Sequence, residues 1–119
     1  MSVIHLRREE DLRSFDPQIF SKQTIFTLVH IDHCPWCQRM KGEWSKLSQQ
    51  PPKEALLITI ELPVLERLNR LLKSRDSRDR FGHVRSVPAL DLHRGPRRRL
   101  PFNGERTAKN MRAFVSKHA

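Results

Sequence analysis

Apolar residues are grouped along this chain in short runs whose periods name the elements. Ile25-Phe26-Thr27-Leu28-Val29-His30-Ile31 is nearly continuous and rich in β-branched and aromatic side chains, the pattern of a strand buried on both faces. Trp36, Met40, Trp44 and Leu47 then recur at helical spacing, and Gln49-Gln50-Pro51-Pro52 stops that helix. Ala55 to Glu61 reads as a second buried strand, and Pro63 opens a helix with Leu65, Leu68, Leu71 and Leu72 on one face. Before these, Val3 to Leu6 is a short strand, and Arg8 to Lys22 a helical region carrying Leu12, Phe15, Ile19 and Phe20, interrupted near Asp16-Pro17. After them, Ser74 to Arg80 mixes charges without apolar period, as an exposed loop does. Val87 to His93 begins another strand, and Arg94-Gly95-Pro96 turns it into Arg97 to Phe102 as a hairpin. Thr107 N-caps a last helix with Met111, Phe114, Val115 and His118 on one face. The order is β-α-β-α-β-α-β-β-α with no internal repeat, which predicts an α/β fold with a central mixed sheet flanked by helices.

A length of 119 residues suits one domain spanning 1–119. Leu, Ile, Val and Phe number 32, a share above the roughly 20% level that accompanies disorder, so a folded chain is expected. Charge changes the picture more. Net charge is +10, but the first 66 residues carry 8 basic and 9 acidic side chains while the remaining 53 carry 15 and 4. That imbalance points to an anionic partner or to a surface made soluble by positive charge. No apolar run approaches the roughly 20 residues a bilayer span needs, so no membrane is expected. The first residues lack the apolar core of a signal peptide, which reads as an intracellular, cytoplasmic chain; export by another route or packaging in a viral particle has no residue in its favour.

Both cysteines lie in Cys34-Pro35-Trp36-Cys37, so they do not staple distant parts of the chain. Two residues apart, they can close and reopen a disulfide with little backbone movement. Pro35 falls at the first helical position and Cys34 at the N-cap. The free N–H groups and positive dipole end there favour a Cys34 thiolate, making Cys34 the exposed nucleophile and Cys37, one turn inside, the buried resolving thiol. Two other readings compete. His30-x-x-His33 precedes the pair and could complete a zinc site, but a strand residue and residues beyond the strand's end are poorly arranged for a tetrahedron; no metal is expected. A static disulfide is disfavoured where thiols are kept reduced.

Three features in this order resemble the thioredoxin superfamily over almost the whole chain: Cys34-Pro35-Trp36-Cys37 after a buried strand, Val87-Pro88 about fifty residues on at the start of a hairpin, and Phe102-Asn103-Gly104-Glu105-Arg106-Thr107 before the last helix. The resemblance implies a thioredoxin fold, a cis Pro88 facing the cysteines, Val87 offering backbone hydrogen bonds to an extended substrate, and Trp36 beside the sulfurs. It implies no metal or organic cofactor beyond the Cys34–Cys37 dithiol, and as partners protein thiols or disulfides and a thiol reductant or oxidant, acting on a monomer. The Cys-Pro-aromatic-Cys centre looks like glutaredoxins, whose Gly-Gly glutathione signature is missing; the stretch from Phe102 to Thr107 looks like thioredoxin or the a-type domains of protein disulfide isomerases. In these the residue before the first cysteine is tryptophan, here His33, and the buried acid six residues before it is here Leu28. Leu28 cannot accept the proton of the resolving cysteine, leaving Asp32 or His33 at the rim as substitutes; a protonated His33 would also favour the Cys34 thiolate.

The expectation is a thiol–disulfide oxidoreductase, with a glutathione-coupled reductase as the alternative enzyme. A second class of function rests on charge: Arg94, Arg97, Arg98 and Arg99 surround the hairpin and would form an anion patch for nucleic acid or an acidic protein if they share a face. The basic half holds few aromatics and no tyrosine, so it offers no stacking platform for single strands.

Overall fold

The computed structural model describes residues 3–15, 19, 23–76 (71–76 as backbone), 86–94 and 98–119. Strands β1 (Val3–Leu6), β2 (Thr24–His30), β3 (Leu56–Glu61), β4 (Ala89–Arg94) and β5 (Arg98–Pro101) form one sheet in the order β1-β3-β2-β4-β5. β1 and β2 run parallel to β3, while β4 is antiparallel to β2 and to β5. Helices α1 (Glu9–Arg13), α2 (Pro35–Gln49), α3 (Leu62–Asp76) and α4 (Ala108–His118) connect and close it. The central mixed sheet with flanking helices is the architecture read from the sequence.

Alternation along the strands sorts the core into two layers. Ile25, Val29, Ile58 and Ile60 pack with Val64, Leu65 and Leu68 of α3 on one face. Phe26, Leu28, Leu57, Leu90 and Leu92 pack with Met40, Trp44 and Leu47 of α2 and Met111 and Val115 of α4 on the other. Phe26 is the hub of the second layer. It is wholly buried, stacks on Trp44 at 5.8 Å and meets Phe102 and Phe114 at 6.4 and 6.0 Å. Glu43 adds a polar tie between the two helices, accepting from the Ala108 N–H at 3.0 Å and from Lys46 at 2.8 Å.

Several boundaries differ from the sequence expectation for local reasons. The first helix covers only Glu9–Arg13; the Phe15 N–H reaches the Leu12 carbonyl at 3.3 Å, a tighter turn that ends the helix ahead of Pro17, before which helical backbone is disfavoured. Asp16-Pro17, Phe20, Ser77 to Arg80 and the Gly95-Pro96 turn lie outside the described residues, while Ser74 to Asp76, expected in a loop, continue α3 as helix. α3 starts at Leu62, so Pro63 sits in the first turn where a missing N–H costs nothing. β4 starts at Ala89 rather than Val87, because Pro88 has no N–H to give the ladder. Thr107 caps α4 as expected, its hydroxyl accepting from the Asn110 N–H at 3.1 Å.

β4 also buries Asp91 and His93 on the α3 face of the sheet, facing Thr27. The Thr27 hydroxyl donates to the Asp91 carbonyl at 3.3 Å and lies 3.2 Å from His93 Nε2. Burial pushes the Asp91 carboxyl above the usual carboxylate range, against the opposing pull of Arg99, whose Nε is 4.0 Å away.

Two stability predictions follow from this packing. Phe26→Ala removes the ring on which three others pack and costs about 3–5 kcal/mol in urea unfolding. Asp91 ionises less readily in the folded chain than in the unfolded one, so its charge opposes folding: native stability from this group is complete at low pH and is lost as pH rises through its raised pKa. Asp91→Asn therefore gains stability over the parent at neutral pH, and the gain closes below about pH 4; a gain of equal size at both pH values would contradict the burial argument.

Candidate active site

β2 delivers the chain into a tight turn from which α2 departs. The Cys34 N–H donates to the Ile31 carbonyl at 3.4 Å, and the Gln38 side chain donates to the Asp32 carbonyl at 2.6 Å, pinning the turn to the helix. Cys34 occupies the N-cap in an extended conformation with Pro35 next to it, as the sequence predicted. The cap is made by sulfur: the Cys37 N–H donates to Cys34 Sγ at 3.2 Å.

Both thiols are free, and their surroundings treat them oppositely. The Cys34 thiol is held below its ordinary value chiefly by a hydrogen bond from the Cys37 side chain, then by the backbone N–H groups of Cys37 and Trp36 and by the charge of Arg106, against some desolvation. Burial pushes the Cys37 thiol up to about 11, with its hydrogen bond to Cys34 adding to the rise. Deprotonation is therefore easier at Cys34 than at Cys37. The exposed nucleophile expected from the sequence is corrected here: Cys34 is only 8% exposed, against 4% for Cys37. What covers it is the segment before β4. The Val87–Pro88 peptide bond is cis, and the Val87 carbonyl accepts from the Cys34 thiol at 3.7 Å. Pro88 is buried.

Arg106 is the residue sequence reading missed. It precedes the α4 cap, donates to the Pro88 carbonyl at 3.4 Å, and its charge reaches both sulfurs. No local pattern marks it, since its site neighbours lie far away in sequence. His33 is exposed in the turn before Cys34. Trp36 is 60% exposed, with the Arg39 guanidinium 4.9 Å above its ring, a cation–π pair at the rim. Leu28 is buried on the α2 face, paired in register with Thr59 of β3. Among the described residues no group of three or more His, Cys, Asp or Glu side chains is placed to hold a metal ion, and no helix is long and apolar enough to cross a membrane.

The hairpin arginines are divided by register. Arg94 pairs with Arg98 on the α2 face, continuing the row parity of Leu92 and Leu100, whereas Arg99 pairs with His93 on the opposite face. All three are exposed; Arg97 lies outside the described residues.

Strand order, helix placement and a Cys-x-x-Cys at the start of α2 together define the thioredoxin fold, which this chain has. It is similar over 98% of its length to the J-Trx1 fragment of ERdj5, with a TM-score of 0.70 and 18% identity, and spans 51% of that fragment. It is similar over 98% of its length to a mutant thioredoxin from Halobacterium salinarum, covering 90% of it with a TM-score of 0.63 and 18% identity. The germline-specific thioredoxin Deadhead from Drosophila melanogaster aligns over 97% of this chain and 98% of its own, with a TM-score of 0.62 and 19% identity. No protein-family model and no curated protein matches the sequence.

The ranking of influences on Cys34 is testable by titrating its alkylation rate. Cys37→Ala removes the side-chain donor as well as the neighbouring sulfur and raises the Cys34 midpoint most; Arg106→Gln raises it by a smaller amount. A midpoint that stays put in both variants would show that the helix terminus alone sets it.

Proposed function

We propose that this protein is a thiol–disulfide oxidoreductase acting on protein disulfides, with Cys34 as nucleophile and Cys37 as resolving thiol. The observation that carries the reading is the opposite treatment of two sulfurs one helical turn apart: one stabilised as thiolate at a helix N-terminus, the other buried and kept protonated. Such a pair ionises more readily at one position and is held in reserve at the other.

In the reducing direction the Cys34 thiolate attacks one sulfur of a substrate disulfide. A Cys34–substrate bond forms, the substrate S–S bond breaks, and the departing sulfur leaves with the electron pair. Cys37 then loses its proton and attacks Cys34 Sγ, closing the Cys34–Cys37 disulfide and releasing the second substrate thiolate. The dithiol gives up two electrons and the substrate disulfide takes them, so the reaction needs no other electron carrier. In the oxidising direction each bond is remade in reverse. The Val87 carbonyl, which accepts a hydrogen bond from the Cys34 thiol, is freed once Cys34 is bonded to substrate and can then accept from the backbone N–H of an extended peptide. Trp36, exposed beside Cys34 with Arg39 over its ring, offers an apolar surface to the substrate.

Cys34→Ser is expected to abolish turnover, and Cys37→Ser to accumulate mixed disulfides detectable by mass; equal turnover by the two variants would sink the assignment. Equilibration across glutathione and dithiothreitol buffers should show a two-electron Cys34/Cys37 transition. A midpoint near about −270 mV assigns the reducing direction and one between about −180 and −120 mV the oxidising direction, while no intramolecular disulfide anywhere in the series overturns the redox reading.

A further inference from the structure

The resolving step has a proton to dispose of, and the site as described so far gives it nowhere to go. Cys37 must lose its proton to attack, yet burial opposes its charge. Bonding of Cys34 to substrate removes the hydrogen bond and charge by which Cys34 raises the Cys37 pKa, but the desolvation remains. A base with a path to Cys37 would lower that barrier.

A cavity of about 340 Å³ opens between β1, β2, β3 and α2 and has Cys37 in its wall. Its wall is mixed, with Lys41, Ser45 and Thr59 standing among Leu28, Cys37 and Trp44. Ser48 also lines it, and the Trp44 indole N–H and the Ser48 hydroxyl are buried without a hydrogen-bond partner in the protein. A space of this size with polar side chains in its wall admits water, and such water supplies a proton path from Cys37.

Among the described residues lining the cavity, no carboxylate is present, and the groups able to take a proton at neutral pH are His5 and His30. They are not equivalent. His5 is exposed at the β1 edge, and its Nδ1 is tied to the Thr59 hydroxyl at 2.6 Å. His30 is half-buried at the end of β2, two residues beyond Leu28 and on the same face of the sheet. The charged and titratable groups around it come from every neighbouring element: Lys41 of α2, Arg7 and His5 from β1 and its end, Asp32 from the turn, and Glu61, its register partner on β3. Burial, then Lys41, Arg7 and His5, favour its neutral form over the opposing pull of Asp32. A neutral imidazole has a lone pair to accept a proton.

We propose that this cavity is the exit for the Cys37 proton and that His30 is the general base that receives it. The inference rests on the oxidoreductase reading above. As the Cys37–Cys34 bond forms and the Cys34–substrate bond breaks, the Cys37 proton passes through cavity water to the His30 imidazole, and from there to solvent at the mouth; the substrate sulfur departs with the bonding pair. Leu28, which cannot take a proton, walls the same cavity, so the base is supplied from a position further along the same strand.

The test is a two-phase release with dithiobis-nitrobenzoate on the reduced full-length protein. The first phase is Cys34 attack, leaving a Cys34–nitrothiobenzoate mixed disulfide; the second is its displacement by Cys37. His30→Gln is expected to leave the first phase intact and slow the second by about 10²-fold at pH 7, with His5→Gln far less affected. Added imidazole should restore the second phase in His30→Ala, which a packing role would not allow. In the parent protein the second-phase rate should rise to a plateau with a midpoint below the ordinary imidazole value of 6.5, a readout that stands even if the variants fail to fold. A second phase unchanged in His30→Gln, a loss confined to His5→Gln, or a parent rate that climbs without inflection into the thiol range each overturns the assignment of His30 alone. A mixed disulfide that never forms overturns the oxidoreductase reading with it.

Discussion

The packing of Trp44 on Phe26 is the contact from which the rest of the site is positioned. It seats the middle of α2 on the sheet, and a 15-residue helix held at its centre has little freedom at its first turn. The start of that helix is therefore fixed relative to the end of β2, and with it the place of Cys34 at the cap and of Cys37 one turn inside. Glu43 adds a second constraint by joining α2 to the first residue of α4. Since Arg106 lies just ahead of α4, the same tie fixes the charge that reaches the sulfurs.

Position then becomes chemistry through burial and backbone direction. The two thiols share a motif but not an environment: one faces N–H groups, a thiol donor and an arginine, the other faces the inside of the protein. Neither state would follow from the cysteines alone, because a thiol without neighbours titrates well above neutrality. The Val87 carbonyl lies against the Cys34 thiol, so the segment before β4 borders the sulfur.

What the sequence revealed was whatever depends on neighbours in the chain. The buried run Ile25 to Ile31, the proline after Cys34, the Leu65 and Leu68 stripe and the Thr107 cap are local signals, and each falls close to where expected, β2 ending one residue short at His30. Long-range relations were not legible. Arg106 meets the Pro88 carbonyl from 18 residues away, and His5, Cys37 and Thr59 come to one cavity from three elements. Hydrophobic patterning likewise gave no warning of Asp91, whose alternation partner Leu92 looks in while the carboxylate is buried on the other face of the sheet. The hairpin arginines read as one cluster in the sequence, but their facing is decided by strand pairing.

The edges of the sheet give those arginines another consequence. β5 is an outer strand of only four residues, and it carries Arg98, Arg99 and Pro101; β1, the other outer strand, is equally short and runs into Arg7 and Arg8. An unpaired strand edge is a template for a neighbouring chain, and short length, like charge and a missing N–H are what make it a poor one. In crowded solution, two copies approaching edge to edge would bring guanidinium against guanidinium before any ladder could form. The positive charge thus guards the sheet from its own kind, independently of whatever the protein acts upon.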